Sequence, residues 1–144
     1  MQKVKSASVV VEQKTVGTIN HGFVLLVGIT HADTEKEIDW MIEKILKLRL
    51  FSESEKSETF MEKNIEEVKG EILVVSQFTL YGDVRKGTRP SFTDAARPEA
   101  AEALYDTFVE KIKQSGLHIQ TGIFGAHMEV NLVNDGPITL ILES

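Results

Sequence analysis

Apolar residues fall along this chain in two rhythms, and the places where each breaks carry most of the information. Residues 22 to 30, Gly-Phe-Val-Leu-Leu-Val-Gly-Ile-Thr, are almost continuously apolar, as a strand covered on both faces must be. Residues 4 to 11 and 16 to 19 predict two more strands, joined through Glu12-Gln13-Lys14 as a hairpin. The rhythm then becomes helical: Thr34-Glu35-Lys36-Glu37 has the capping-box pattern, and Ile38, Met41, Ile42, Ile45 and Leu46 recur at helical spacing behind it, which predicts a helix over about 35 to 48. Residues 52 to 70 are polar and weakly periodic and predict an irregular connection. A second buried strand is expected over 71 to 82, its apolar run interrupted by Ser76-Gln77 and Thr79. Pro98 opens a second helix, with Ala101, Leu104, Tyr105, Phe108 and Ile112 on one face and Gly116 closing it. The last third returns to strands at His118–Gly122, His127–Val133 and Ile138–Glu143.

These elements define an α/β chain in which curved, barrel-like β-sheets carry two helices packed outside. At 144 residues, 42% hydrophobic, one domain spanning residues 1 to 144 is expected. No apolar run approaches the roughly 20 residues of a membrane helix, and the first residues lack a signal-peptide core, so a soluble, cytoplasmic protein without membrane contact is the expectation. With no cysteine there is no disulfide or thiolate chemistry. The net charge of -6 argues against nonspecific coating of nucleic acid, but Arg85, Lys86, Arg89 and Arg97 fall close together as a local basic patch.

Familiar catalytic patterns are missing. His21, His31, His118 and His127 show no metal-ligand spacing and read as ordinary polar residues, so no metal is expected. No Gly-x-Ser-x-Gly elbow, P-loop or dinucleotide fingerprint occurs, so no nucleotide cofactor has a cradle. Two stretches depart from plain packing. Ser76-Gln77-Phe78-Thr79 ends an apolar strand with polar side chains, which either face solvent or converge on a pocket whose backbone N–H groups serve as an oxyanion hole. It runs straight into a Gly-containing basic loop with Arg85, Lys86 and Arg89, suited to a phosphate-bearing substrate or simply solvated. Asn134-Asp135-Gly136-Pro137 then interrupts a strand-forming run, where proline cannot donate to a ladder; it is either a hairpin turn or a functional backbone feature.

Together, the stretch from Val74 to Phe92 and the ending Leu132–Ser144 resemble the D-aminoacyl-tRNA deacylase family, whose markers are Ser-Gln-x-Thr and Asn-x-Gly-Pro-x-Thr. Both are intact and in order, and the similarity extends through residues 5–12, 22–30, 39–51 and 121–130. The resemblance implies a homodimeric editing hydrolase that cleaves the ester of D-aminoacyl-tRNA, and of glycyl-tRNA, without a cofactor. Ser76, Gln77, Phe78 and Thr79 would line the pocket, Ala126 and Met128 its wall, and Arg85, Lys86 and Arg89 would meet the tRNA. Gly136-Pro137 would be the family's Gly-cisPro element, reaching into the partner subunit's pocket. Relatives commonly carry several residues before the Gln-Arg/Lys-Val stretch that here begins at Gln2, so a short first strand is one expectation. The segment around Met61 also departs from the family pattern.

The implied selectivity has a simple physical basis. Carbonyl oxygens of a rigid backbone segment can accept from the substrate ammonium, while the same backbone crowds the side of Cα from which an L side chain projects; glycine escapes because it has no side chain. An aminoacyl ester is already activated, so orientation of ester and water, with help from the tRNA's 2'-hydroxyl, leaves little work for a protein nucleophile. Thr79 has no visible base to activate it and reads as a positioning residue beside the Phe78 and Thr79 amides. Two readings compete with this one: a noncatalytic dimer that binds the tRNA acceptor end, and an unrelated hydrolase of small esters.

Overall fold

The computed structural model describes residues 1–52 and 61–144. Its elements are β1 (Gln2–Val11), β2 (Lys14–Ile19), β3 (Gly22–Val27), α1 (Glu35–Lys47), β4 (Glu71–Ser76), α2 (Pro98–Lys113), β5 (Ile119–Thr121) and β6 (Glu129–Thr139), with a short 3-10 turn at Phe78–Tyr81. The first strand is ten residues long.

β1 organises the sheet. Along one edge its C-terminal half pairs antiparallel with β2 and its N-terminal residues with β3; along the other it pairs antiparallel with β6. β3, β4 and β5 then run parallel. The β1–β2 hairpin turns at Glu12 and Gln13, both at positive φ, as the sequence places it. The sheet curls until β2 faces β5: a Cβ at Gly17 would lie 2.8 Å from the Thr121 carbonyl oxygen, so the near-closure needs glycine there.

The continuous apolar run in β4 has its reason in two buried layers. Ile72 and Val74 face a cluster with Phe23, Leu25, Ile38, Ile42, Phe108 and Ile112, beneath the helices. Leu73 and Val75 face the inside of the curve with Val4, Val9, Ile19 and Val24. α1 begins as predicted, Thr34 accepting from the Lys36 amide while Glu37 takes the Thr34 amide at 2.9 Å. α2 starts at Pro98 and is fastened to α1 by Lys111, which bonds Asp39 at 2.6 Å and Glu35 at 3.0 Å. On its buried face Tyr105 donates its hydroxyl to the Val74 carbonyl at 3.0 Å.

Three strand expectations change. β3 stops at Val27, before the apolar run ends. β4 stops at Ser76, and residues 78 to 81 form the 3-10 turn instead of continuing the strand to Gly82. The two C-terminal strands expected around Asn134-Asp135-Gly136-Pro137 are one strand, β6, paired with β1 on both sides of it, so this is no hairpin turn; β6 ends at Thr139, and the strand expected to run on to Glu143 does not form. Residues 53 to 60 of the expected irregular connection lie outside the described residues; around them Phe51 and Lys63 exchange backbone hydrogen bonds.

Candidate active site

The polar end of β4 lies where the parallel strands β3, β4 and β5 present their carboxyl ends, the usual position for a site in a parallel sheet. Two links turn the chain out of the sheet here. The Gln77 amide donates to the Val27 carbonyl at 2.7 Å, and the Leu80 amide to the Gln77 carbonyl at 3.3 Å. Gly28 leaves the room for it, since a Cβ there would stand 3.1 Å from the Gln77 carbonyl oxygen and 3.2 Å from Leu80. The Phe78 and Thr79 amides come before the first backbone-bonded amide of the turn and take no acceptor among the described residues. Such donors can hold a developing oxyanion.

Thr79 is exposed, and its hydroxyl oxygen accepts from the Gln77 side-chain amide. That partner is a donor with no capacity to take the threonine proton, which fits a hydroxyl that positions a substrate and not one activated for attack. Ser76 and Gln77 are half-buried at the strand end.

The basic loop follows directly. Asp83 and Ser91 exchange both backbone hydrogen bonds, at 2.8 and 2.9 Å, and between them Arg85, Lys86 and Arg89 are exposed. Arg85 is held by Asp83 through Nε and Nη2 at 2.9 and 2.8 Å, which lowers the Asp83 carboxyl below its usual range. A crevice of about 340 Å³ opens at the root of this loop, lined by Tyr81, Gly82, Asp83, Val84, Arg85 and Asp94. Burial first, then Asp33 and Glu143, raise the Tyr81 phenol.

Met128 lies against Gly122, its Sδ 2.5 Å from where a Cβ would be, and packs on the inner cluster that contains Val75, the residue before Ser76. Ala126 is half-buried in the turn that its own amide closes on the Ile123 carbonyl at 3.2 Å. Met128 is thereby placed beside β4, since the Gly122 amide donates to the Val74 carbonyl at 3.0 Å, whereas Ala126 has no hydrogen bond to β4.

Gly136-Pro137 does not join the β4 end within one chain. Among the described residues β6 pairs only with β1, and the path from β6 to β4 crosses β1 and β3. Three strand spacings amount to roughly 14 Å along the curve of the sheet. The register explains the shape of the segment: Val4 pairs with Asn134 and Gln2 with Thr139, so residues 135 to 138 face only Lys3 and are thrown out of the ladder. Gly136 and Pro137 are exposed, the bond between them is cis, and Gly136 has φ +115°, a conformation reserved for glycine.

The excursion is fastened by residues whose roles the sequence alone does not reveal. Asn134 Oδ1 accepts from the Ile138 amide at 3.1 Å and its Nδ2 donates to Thr139 at 3.0 Å. Lys3 pairs with Asp135 at 3.0 Å while its ammonium lies 5.2 Å from the Phe51 ring centre. The named letters of Asn-x-Gly-Pro-x-Thr hold the signal for the first pair; for Lys3, at the other end of the chain, nothing local does. Of the histidines, His21 packs edge-on against Phe51, with burial and then Lys3 lowering its pKa, and His31 bonds the Thr93 carbonyl at 2.9 Å. No cluster of three or more metal-ligating side chains occurs among the described residues.

Fold and site thus define an α/β protein with donor-rich backbone at the carboxyl ends of parallel strands and a fastened Gly-Pro projection on a distant edge. The chain belongs to the family described as D-Tyr-tRNA(Tyr) deacylase, whose model matches residues 1–143. It is 54% identical over 143 residues to a D-aminoacyl-tRNA deacylase of Exiguobacterium sp., covering 99% of this chain and 95% of that protein. It is 56% identical over 143 residues to one of Rippkaea orientalis, covering 99% and 97%. A solved structure described as c-Myc DNA Unwinding Element Binding Protein superposes with a TM-score of 0.90 at 42% identity, covering 99% and 95%. A second, of a probable eukaryotic D-amino acid tRNA deacylase, gives 0.82 at 18% identity over 94% and 92%, a likeness of fold.

Proposed function

We propose that this protein is a homodimeric editing enzyme that hydrolyses the ester of D-aminoacyl-tRNA and glycyl-tRNA and spares L-aminoacyl-tRNA. The observation that carries the reading is the pairing of two features on opposite parts of the sheet: backbone donors at Phe78 and Thr79 without an acceptor among the described residues, and a fastened, exposed Gly136-Pro137. The strand order, with β1 and β3 between β6 and β4, supports a partner subunit supplying the second feature to the first. Among the described residues β6 has one unbonded edge, and Val133 on it is 53% exposed, a surface suited to another copy of the chain.

In this reading the ester carbonyl sits against the Phe78 and Thr79 amides, and Gln77 and Thr79 orient it. The partner's Gly-Pro segment accepts from the substrate ammonium and occupies the space of an L side chain. Water attacks the carbonyl carbon, the 2'-hydroxyl of the terminal ribose assists, and the 3'-oxygen leaves. Arg85, Lys86 and Arg89 hold the acceptor-end phosphates.

Mixed dimers test the cross-subunit arrangement. One chain carries Gln77→Ala with Thr79→Ala, the other Gly136→Val; each homodimer is expected to be impaired. If the segment acts in trans, the mixed dimer regains one intact site and about half the wild-type rate. A mixed dimer as poor as its parents would place both features in the same subunit's site and contradict the proposal.

A further inference from the structure

We infer that Phe92 binds substrate, forming with Phe78 a stacking platform for the base of the 3'-terminal nucleotide; this rests on the deacylase reading above. The two rings meet edge to face, with centroids 5.0 Å apart and planes at 71°, and remain 58% (Phe78) and 37% (Phe92) exposed. Leu80 and Val84, from the stretch of chain that joins the two rings, are exposed as well. Two exposed rings in contact mark a binding surface, whereas a lone exposed ring does not.

The Phe92 ring is held by its frame. Its chain neighbour Ser91 is locked to Asp83, the Thr30 hydroxyl donates to the Asp94 carbonyl at 2.6 Å, and the Ala96 amide donates to the Ile29 carbonyl at 2.9 Å. Gly82 allows the close approach: a Cβ there would stand 3.0 Å from both Phe92 Cε1 and the Thr79 carbonyl oxygen. A platform fixed in this way loses little entropy when a base settles on it.

Charge selects the occupant. Phe92 follows Ser91 at the root of the loop carrying Arg85, Lys86 and Arg89, and Phe78 and Thr79 carry the two amides without an acceptor; Lys86 and Arg89 have no ion pair among the described residues. In a chain of net charge -6, a loop that carries two cations without an ion pair, Lys86 and Arg89, and is rooted at the residue before Phe92 suits a single-stranded nucleotide, whose base stacks while its phosphate meets the loop. The adjacency to the oxyanion donors assigns the nucleotide that bears the ester.

The test is a double cycle on a minihelix acylated with D-Tyr, with or without the base on its 3'-terminal ribose. Phe92→Leu is expected to raise KM about tenfold with kcat within about twofold, as loss of one base stack does. Phe92→Tyr restores KM. Removing the base costs the wild type about the same factor, and Phe92→Leu adds nothing further. Losses that multiply to about a hundredfold, an unchanged KM, or a changed dimer mass in Phe92→Leu would overturn the platform, the last by assigning the pair to packing between copies. A wild-type protein that binds without cleaving would end the deacylase reading, and the same cycle in dissociation constants would still decide the platform.

Discussion

Asn134 and Thr139 clasp each other across the excursion of β6, Nδ2 to Oγ1 at 3.0 Å, and the same asparagine caps the Ile138 amide with its Oδ1. The clasp replaces ladder bonds that the register shift removes, so it sets how Gly136-Pro137 projects. Asn134→Ala leaves the Ile138 amide without its acceptor, at about 1 kcal/mol, and loosens the projection. The D-over-L rate ratio is expected to fall at least tenfold while Tm drops by only a few degrees; a ratio unchanged in a well-folded variant would show that the clasp does not hold the selectivity element.

Thr79 supports a second prediction. Because its oxygen accepts from an amide, Thr79→Ala should keep single-turnover deacylation within about tenfold of wild type, the scale of lost orientation. Loss of a thousandfold or more with intact tRNA binding would instead assign it the role of nucleophile.

The basic loop should set the salt response. Removing Lys86 or Arg89 is expected to weaken binding of every acylated tRNA alike and to reduce the slope of log K against log salt by about 0.7 to 0.9 for each phosphate the loop no longer neutralises. A slope that does not change on titrating either variant would take the loop off the tRNA path.

Tyr105 predicts the alkaline limit of the fold. Burial, and then Asp106, push its phenol up to about 12, against about 10 in the unfolded chain. Below pH 10 both states keep the proton and its contribution is whole; between 10 and 12 the unfolded chain ionises first, so stability falls as pH rises. Denaturant melts over this range should fall more steeply for wild type than for Tyr105→Phe, which itself costs about 1 kcal/mol at neutral pH because the Val74 carbonyl keeps its bond from the Gly122 amide. Parallel pH curves would show that Tyr105 does not control this loss.

Legibility in the sequence follows the range of the interactions. Both helices are readable because Thr34, Glu37 and Pro98 act within one turn. β4 reads too long because Leu80 and Tyr81 are apolar like a strand, while the bond that ends it, Gln77 to Val27, joins segments far apart in the chain. The run across Gly136-Pro137 looks like a turn because local turn chemistry does not show that β1 pairs on both sides. The motif residues are visible as letters, but Lys3 beside Phe51 and Phe92 against Phe78 depend on tertiary placement.

Chirality of the ester is the central claim, and single-turnover deacylation of D-Tyr-tRNA and L-Tyr-tRNA under identical conditions measures it directly. The D ester is expected to disappear and the L ester to persist at its spontaneous rate. Comparable loss of both, or loss of neither while tRNA still binds, would contradict the account.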